Sequence, residues 1–410
     1  MGPVAVTFTP AGEALSMIGA KGWCLSLVFS VQPLCPRVSM VNCFAESHHR
    51  GTEDTEVAQR RVQISHSRPK RRQVGALQEA VLSCAYSITD MTTPFENFLK
   101  QHDEESWAAA LSALLRSIHE VDRTATQIWF SFYPLSLFEA LEQADDSETL
   151  AQRLLLQGKY YLKDQIDSSH TFLYGHRYWP EVKQAVEKHA RAFSAADTRP
   201  LADQISAVAQ QVAQQSKVDQ SLVIGIAAVA FMTIRQAGLE AFAAAPGQML
   251  IDKKHARKSP AEVLRERAVD DSQGLLSFLK TVDKKWSVTY DENDDRAKYR
   301  LNHQQDLAWG AAGDRSRNWR ELDPRRIEGP IPVECRSASC GTCWVGVLGG
   351  AEKLSDVAAR EGKKIKEFGY VDTSEAKPLI RLACQAQAHG AVSIVIPPWN
   401  GVFGKYLKNL

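Results

Sequence analysis

From Phe95 to about residue 283, apolar side chains recur at three- and four-residue steps, the spacing that lines one face of an α-helix. Phe95, Phe98, Leu99, Trp107, Leu111, Leu114, Leu115 and Ile118 follow it, as do Leu154, Leu155, Tyr161 and Leu162. Further helical segments are predicted near 180–193, 201–216, 219–243 and 260–282. Two of the starts are written explicitly. Thr93-Pro-Phe-Glu96 and Ser259-Pro-Ala-Glu262 each place a hydroxyl at the N-cap, proline at the first helical position and glutamate where it closes a capping box. The longest apolar run, Leu222 to Ile234, holds thirteen residues before Arg235. A membrane-crossing helix needs about 20, so this run predicts a buried central helix of a bundle and no membrane span.

The period changes at Trp286. Trp286 to Tyr290 and Tyr299 to Leu301 alternate as a hairpin around the acidic turn Asp291 to Asp295. A short helix from Asp306, a Pro-rich loop from Ile327 to Val333 and a cysteine-rich loop come next. Trp344 to Leu348 then predicts a strand ended by Gly349-Gly350, Ser355 to Phe368 a helix, and Val392 to Ile396 a last strand stopped by Pro397-Pro398. Strand, strand, helix, cysteine loop, strand, helix, strand is the order of a β-grasp domain. The predicted class is α+β, with a helical domain over 91–284 and a β-grasp domain over 285–410.

Residues 1–90 keep no sustained period and read as largely irregular. They carry short apolar pieces, scattered cysteines and the basic stretch Arg68 to Arg72, which reads as a solvated charge run. The folded part is expected to begin near Met91. An upstream start that makes Met91 the natural first residue is the favoured explanation, ahead of a disordered extension.

Composition narrows the partners. Forty-nine Lys and Arg against 48 Asp and Glu leave a net charge of +1, which offers no general attraction to nucleic acid or to an anionic membrane. The eight cysteines are clustered, four within the first 84 residues and four within 335–384. A secreted disulfide framework would spread its pairs through the fold, so this distribution fits a reducing compartment, read as cytoplasmic, with one dedicated thiolate site.

That site has the spacing Cys335-x4-Cys340-x2-Cys343, with Cys384 following after 40 further residues. Four thiolates complete the tetrahedral coordination of two sulfide-bridged irons, and small loop residues such as Ser337, Ala338, Ser339, Gly341 and Thr342 let backbone N–H groups approach the sulfurs. A zinc site is the competing reading, but zinc ribbons usually pair their ligands as two Cys-x-x-Cys knuckles and only one is present. The segments Cys335 to Val345 and Arg381 to Ala386, followed by the valine- and isoleucine-rich last strand, resemble the plant-type and bacterial [2Fe–2S] ferredoxins. The resemblance runs from about Trp286 to Leu410. It implies a [2Fe–2S] cluster held by Cys335, Cys340, Cys343 and Cys384, and one-electron transfer. Two departures stand out: Ala338 occupies a position where the family usually has glycine, and the interval to Cys384 is longer, with the excess assigned to the helix 355–368.

No GxGxxG, no Walker loop and no strand-turn-helix repeat marks a nicotinamide, flavin or ATP site. Electrons must then pass to and from a redox partner protein, an oxidoreductase docked through the helical domain or the C-terminal tail. A redox enzyme with a second metal or haem centre in the helical domain is the alternative, and an iron–sulfur redox sensor a further one. His170 and His176, with His119 and His189, would be the imidazoles for a second centre, although their spacing matches no recurring ligand pair and packing between helices is the simpler account. Arg336, Arg381 and the basic, aromatic tail Trp399 to Lys408 flank the cysteine site. The tail is expected either to offer Trp399, Phe403 and Tyr406 to a partner or to fold back on the helical domain.

Overall fold

Thr93 and Ser259 both open helices as their sequences dictate: each side chain accepts from the backbone of the glutamate three residues on, and that glutamate reaches back to the cap. The computed structural model describes residues 6–7, 15–18, 24–27, 92–267, 269–270, 284–369 and 377–407. Within the N-terminal unit the described residues form three short antiparallel strands, β1 (Val6–Thr7), β2 (Leu15–Ile18) and β3 (Cys24–Leu27). The expectation of a largely irregular leader otherwise falls outside the described residues.

The rest of the chain begins as a helical region. Its axis is the helix Ser221–Ala237, whose residues from Leu222 to Arg235 are all buried. Helices Glu120–Phe132, Trp179–Ala192 and Leu201–Ser216 pack around it. Burial on every side is why its sequence is apolar all round rather than striped. Among the described residues, no helix is long and apolar enough to cross a membrane.

Several predicted helices differ in extent. The segment predicted over 219–243 breaks at Gly238 (φ 85°), and a short helix Leu239–Ala244 resumes beyond it. Leu154, Leu155, Tyr161 and Leu162 do not share a helix: Ser147–Arg153 ends before them, and the chain turns into β4 (Gln157–Gly158) and a 3-10 turn at Leu162–Asp164. Leu154 and Leu162 are buried while Leu155 is 59% exposed, so the apolar spacing imitates a helical period that the backbone does not follow. Pro260–Glu266 is helical as expected, while most of the remainder to 282 lies outside the described residues.

The second half is a five-stranded mixed sheet with order β6-β5-β9-β7-β8. β5 (Lys285–Thr289) and β6 (Lys298–Asn302) are the predicted hairpin; β9 (Val392–Val395) runs parallel to β5, and β7 (Trp344–Gly349) antiparallel to β9. β8 (Ile380–Leu382) pairs with β7 and was not anticipated, because three residues are too short to show an alternation. The helix expected from Ser355 starts at Ala359 and ends at Phe368. Ser355 is instead held extended, its carbonyl accepting from Arg381 at 2.9 Å.

Helical region and sheet share one core. A Cβ on Gly346 of β7 would lie 2.5 Å from Ile128 Cγ2, so glycine there lets helix Glu120–Phe132 seat directly on the strand that leaves Cys343. The tail folds inward as well. Trp399 is fully buried, its indole N–H donates to the Phe132 carbonyl, and β10 (Trp399–Asn400) pairs with β4. Phe403 is buried beside it. Offering these two rings to a partner is therefore ruled out by burial, and the tail straps the sheet to the helical region.

Candidate metal centre

Residues 335–343 form a loop between the Pro-rich segment and β7. Backbone N–H groups of Ser337 (3.5 Å), Ser339 (3.3 Å) and Cys340 (3.3 Å) all donate toward Cys335 Sγ. Curling the backbone this tightly needs left-handed residues, and three occur: Arg336 (φ 51°), Ala338 (φ 58°) and Gly341 (φ 76°). Ala338 keeps the conformation that glycine adopts freely, accepting local strain of about 1 kcal/mol. At Gly341 a side chain has no room, since a Cβ would meet the Phe368 ring at 3.0 Å.

Cys384 reaches the loop from the turn after β8. The Ala383 N–H donates to the Cys343 carbonyl at 2.8 Å, and the Ala338 backbone hydrogen-bonds the Cys384 sulfur. Gln385 Nε2 donates to its neighbour's carbonyl at 2.8 Å and lies 3.5 Å from Cys384 Sγ. The four thiols come as two neighbouring pairs, Cys335 with Cys340 and Cys343 with Cys384, the members of each close enough to shift one another's ionisation. Among the described residues, no three His, Cys, Asp or Glu side chains converge on a single point.

One member of each pair is poised as a thiolate. Burial pushes the Cys335 thiol up, but hydrogen bonds from Ser339, Ser337 and Cys340 outweigh it and bring the value to about 6. The hydrogen bond from Cys343 brings Cys384 to about 7, against burial. Their partners go the other way, Cys340 raised by burial and Cys343 raised well above the ordinary range by its bond to Cys384 and by burial. Anion-stabilising N–H groups around sulfur are the environment a negatively charged thiolate centre requires.

The two pairs differ in exposure. Cys343 and Cys384 are buried, whereas Cys335 and Cys340 are half-buried and mark the face nearest solvent. On that face Arg336 lies over the Trp309 ring at 4.7 Å and pairs with Glu328. Trp309 is 58% exposed, carried by the helix Leu307–Ala312, whose first turn is pinned to the Cys384 turn by Ala308 N–H donating to the Ala383 carbonyl. The helix start at Asp306, whose side chain caps it, is legible in the sequence, but the outward turn of this indole is not. Arg381, read as flanking the site at the surface, is only 1% exposed and forms a buried pair with Glu361.

The histidines do not assemble into a second centre. Leu250 N–H donates to His176 Nε2 at 2.8 Å, the two Nδ1 atoms of His176 and His170 lie 2.9 Å apart, and His170 Nε2 lies 3.1 Å from the Ile166 carbonyl. One pair of neutral tautomers satisfies all of these bonds, with a proton on His176 Nδ1 and on His170 Nε2. Every ring nitrogen of the pair is then engaged. His119 caps its helix by accepting from Val121 N–H, and His189 packs among Phe95, Phe193 and Phe231.

No curated protein and no solved structure matches the chain. Residues 322–389 match the family model of the 2Fe-2S iron-sulfur cluster binding domain. The C-terminal part of this chain is accordingly a [2Fe–2S] cluster binding domain, and the chemistry it serves is electron transfer.

Proposed function

We propose that Cys335, Cys340, Cys343 and Cys384 are the four ligands and that the chain is a one-electron carrier between partner proteins. When bound, the cluster supplies a single-electron couple. The observation that carries the assignment is the pairing of thiols. Two pairs brought together by one loop and one turn suit two adjacent metal ions, whereas a mononuclear zinc site wants its donors around one centre. Cys335 and Cys340 would serve the outer metal, Cys343 and Cys384 the buried one. The N–H groups of Ser337, Ser339 and Cys340 hold charge on the outer sulfur, and the buried pair excludes water from the inner one.

The sheet order supports a β-grasp reading of residues 285–410, since the last strand, β9, lies centrally beside and parallel to the first, β5. Electron exchange is assigned to the face where Cys335 and Cys340 approach solvent, with Trp309 and Arg336 as the contact an oxidoreductase partner would bury. Replacing each of Cys335, Cys340, Cys343 and Cys384 by serine in turn tests the ligand set. Each variant should lose most of its iron and its visible absorption, while Cys24→Ser should lose none. Full iron content in any of the four would remove that residue from the set.

A further inference from the structure

A cavity of about 290 Å³ lies where the helical region meets the sheet. Phe132, Tyr133 and Phe172 line it from the helical side, Tyr290, Arg326 and Ile394 from the other. Three polar atoms of these residues, Tyr133 Oη, Tyr290 Oη and Arg326 Nε, are buried without a hydrogen-bond partner. Tyr133 is 2% exposed and Tyr290 9%. Their isolation has local causes. Gln165 lies beside Tyr133 but makes no bond of hydrogen-bonding geometry to its hydroxyl, and it turns its amide N–H groups to the Lys159 carbonyl at 2.6 Å and toward the Tyr161 carbonyl. Asp323 is gripped by Arg325 at 2.6 Å and 3.0 Å, leaving Arg326 Nε 3.7 Å away.

Buried donors left unpaired cost stability and are uncommon unless something else satisfies them. All three of these groups can donate, and the guanidinium can only donate. Of the acidic residues of the rim, Glu292 pairs with Arg267 at 2.9 Å and Asp294 with Arg317 at 2.8 Å, while Asp291 is exposed and accepts from the Asn293 N–H at 2.9 Å. The cavity therefore asks for a guest with acceptor oxygens, and its aromatic walls ask for a flat apolar body. Its volume admits roughly one or two fused six-membered rings.

Its position adds a further point. Trp344 follows Cys343 directly; its ring lies 5.3 Å from that of Phe132, and Phe132 lies 6.1 Å from Phe172. Contacting rings thus lead from the cysteine site to the cavity wall.

We propose that this cavity binds a small planar aromatic compound bearing carbonyl or carboxylate oxygens, held by the Tyr133 and Tyr290 hydroxyls and the Arg326 guanidinium. The cavity does not depend on which residues ligate the cluster. The test titrates the full-length, cluster-loaded, oxidised protein with 2-methyl-1,4-naphthoquinone and, separately, with 2-naphthoate, by calorimetry and tryptophan fluorescence. Saturable one-to-one binding of either compound is expected, the quinone alone indicating a neutral carbonyl guest and the naphthoate alone an anionic one. Tyr133→Phe and Tyr290→Phe should each weaken binding about five- to tenfold and Arg326→Met more. The two Phe variants should keep wild-type iron content and equal or better thermal stability, because each removes a buried hydroxyl that has no partner. No saturable binding of either compound, or Phe variants that bind as wild type does, would overturn the proposal, and unchanged iron content keeps that outcome separate from the ligand assignment.

Discussion

Arg381 and Glu361 are each buried to about one per cent exposure, and their pairing fixes the helix Ala359–Phe368 to the strand that leads into Cys384. Two contacts are parallel, Nε to Oε1 at 2.8 Å and Nη2 to Oε2 at 2.9 Å. Two more complete the set: Nη1 donates to the Ser355 carbonyl at 2.9 Å, and Leu382 N–H donates to Glu361 Oε1 at 3.0 Å. Arg381→Met leaves a carboxylate buried without its counter-charge, and Glu361→Leu leaves a buried guanidinium. Each single change should cost about 3–5 kcal/mol. The double variant replaces both charges with apolar side chains of similar length, and loses only the accessory bonds to Ser355 and Leu382, about 1–3 kcal/mol in all. The singles are thus expected to sum to well over the double, with a coupling of at least about 3 kcal/mol. Urea unfolding followed by far-UV circular dichroism gives the three values. Visible absorption, followed in parallel, should be lost at lower urea in both singles, because Arg381 stands three residues before Cys384. Additivity of the two singles to within about 0.5 kcal/mol would refute the claim that this pair is the anchor.

Truncation after Pro398 removes the fully buried Trp399 and should cost solubility and the cluster together, and Trp399→Ala alone should destabilise by about 3–5 kcal/mol in thermal or urea melts. Burial holds the His176 ring down to about 4, below its ordinary value of 6.5. The unfolded chain then binds a proton there that the folded chain refuses, so its contribution of about 3 kcal/mol is complete above pH 6.5 and is lost as pH falls toward 4; His176→Gln should flatten the stability profile across that window. Ala338→Gly should relieve the left-handed strain at φ 58°, keep the iron content and raise stability by up to about 1 kcal/mol, read as a higher melting temperature.

Local chemistry was the most legible part of the sequence. The caps at Thr93 and Ser259, the apolar run of the central helix and the hairpin at Trp286 are each written in a few adjacent residues, and the structure forms all of them. The cysteine spacing announced the cluster domain for the same reason, since three of the four sulfurs lie within nine residues. What stayed hidden depends on contacts distant in sequence. Arg381 looked like a surface cation because its partner, Glu361, lies twenty residues away on a helix it meets only in the fold. The tail's aromatic residues looked available because their seat is built by Phe132 and Trp344. His170 and His176 look like ligands in any list of imidazoles, and only the bond from Leu250 N–H, the bond to the Ile166 carbonyl and the one between the two rings show each nitrogen already engaged. Ala338 shows the converse: a departure from glycine is readable in sequence, but not that the backbone keeps its left-handed conformation there.

Metal and sulfide analysis of anaerobically purified protein, combined with electron paramagnetic resonance before and after dithionite reduction, tests the central claim most directly. The account predicts two irons and two acid-labile sulfides per chain, no signal as isolated and a half-integer-spin signal on reduction. Stoichiometric zinc with neither iron nor sulfide would contradict it.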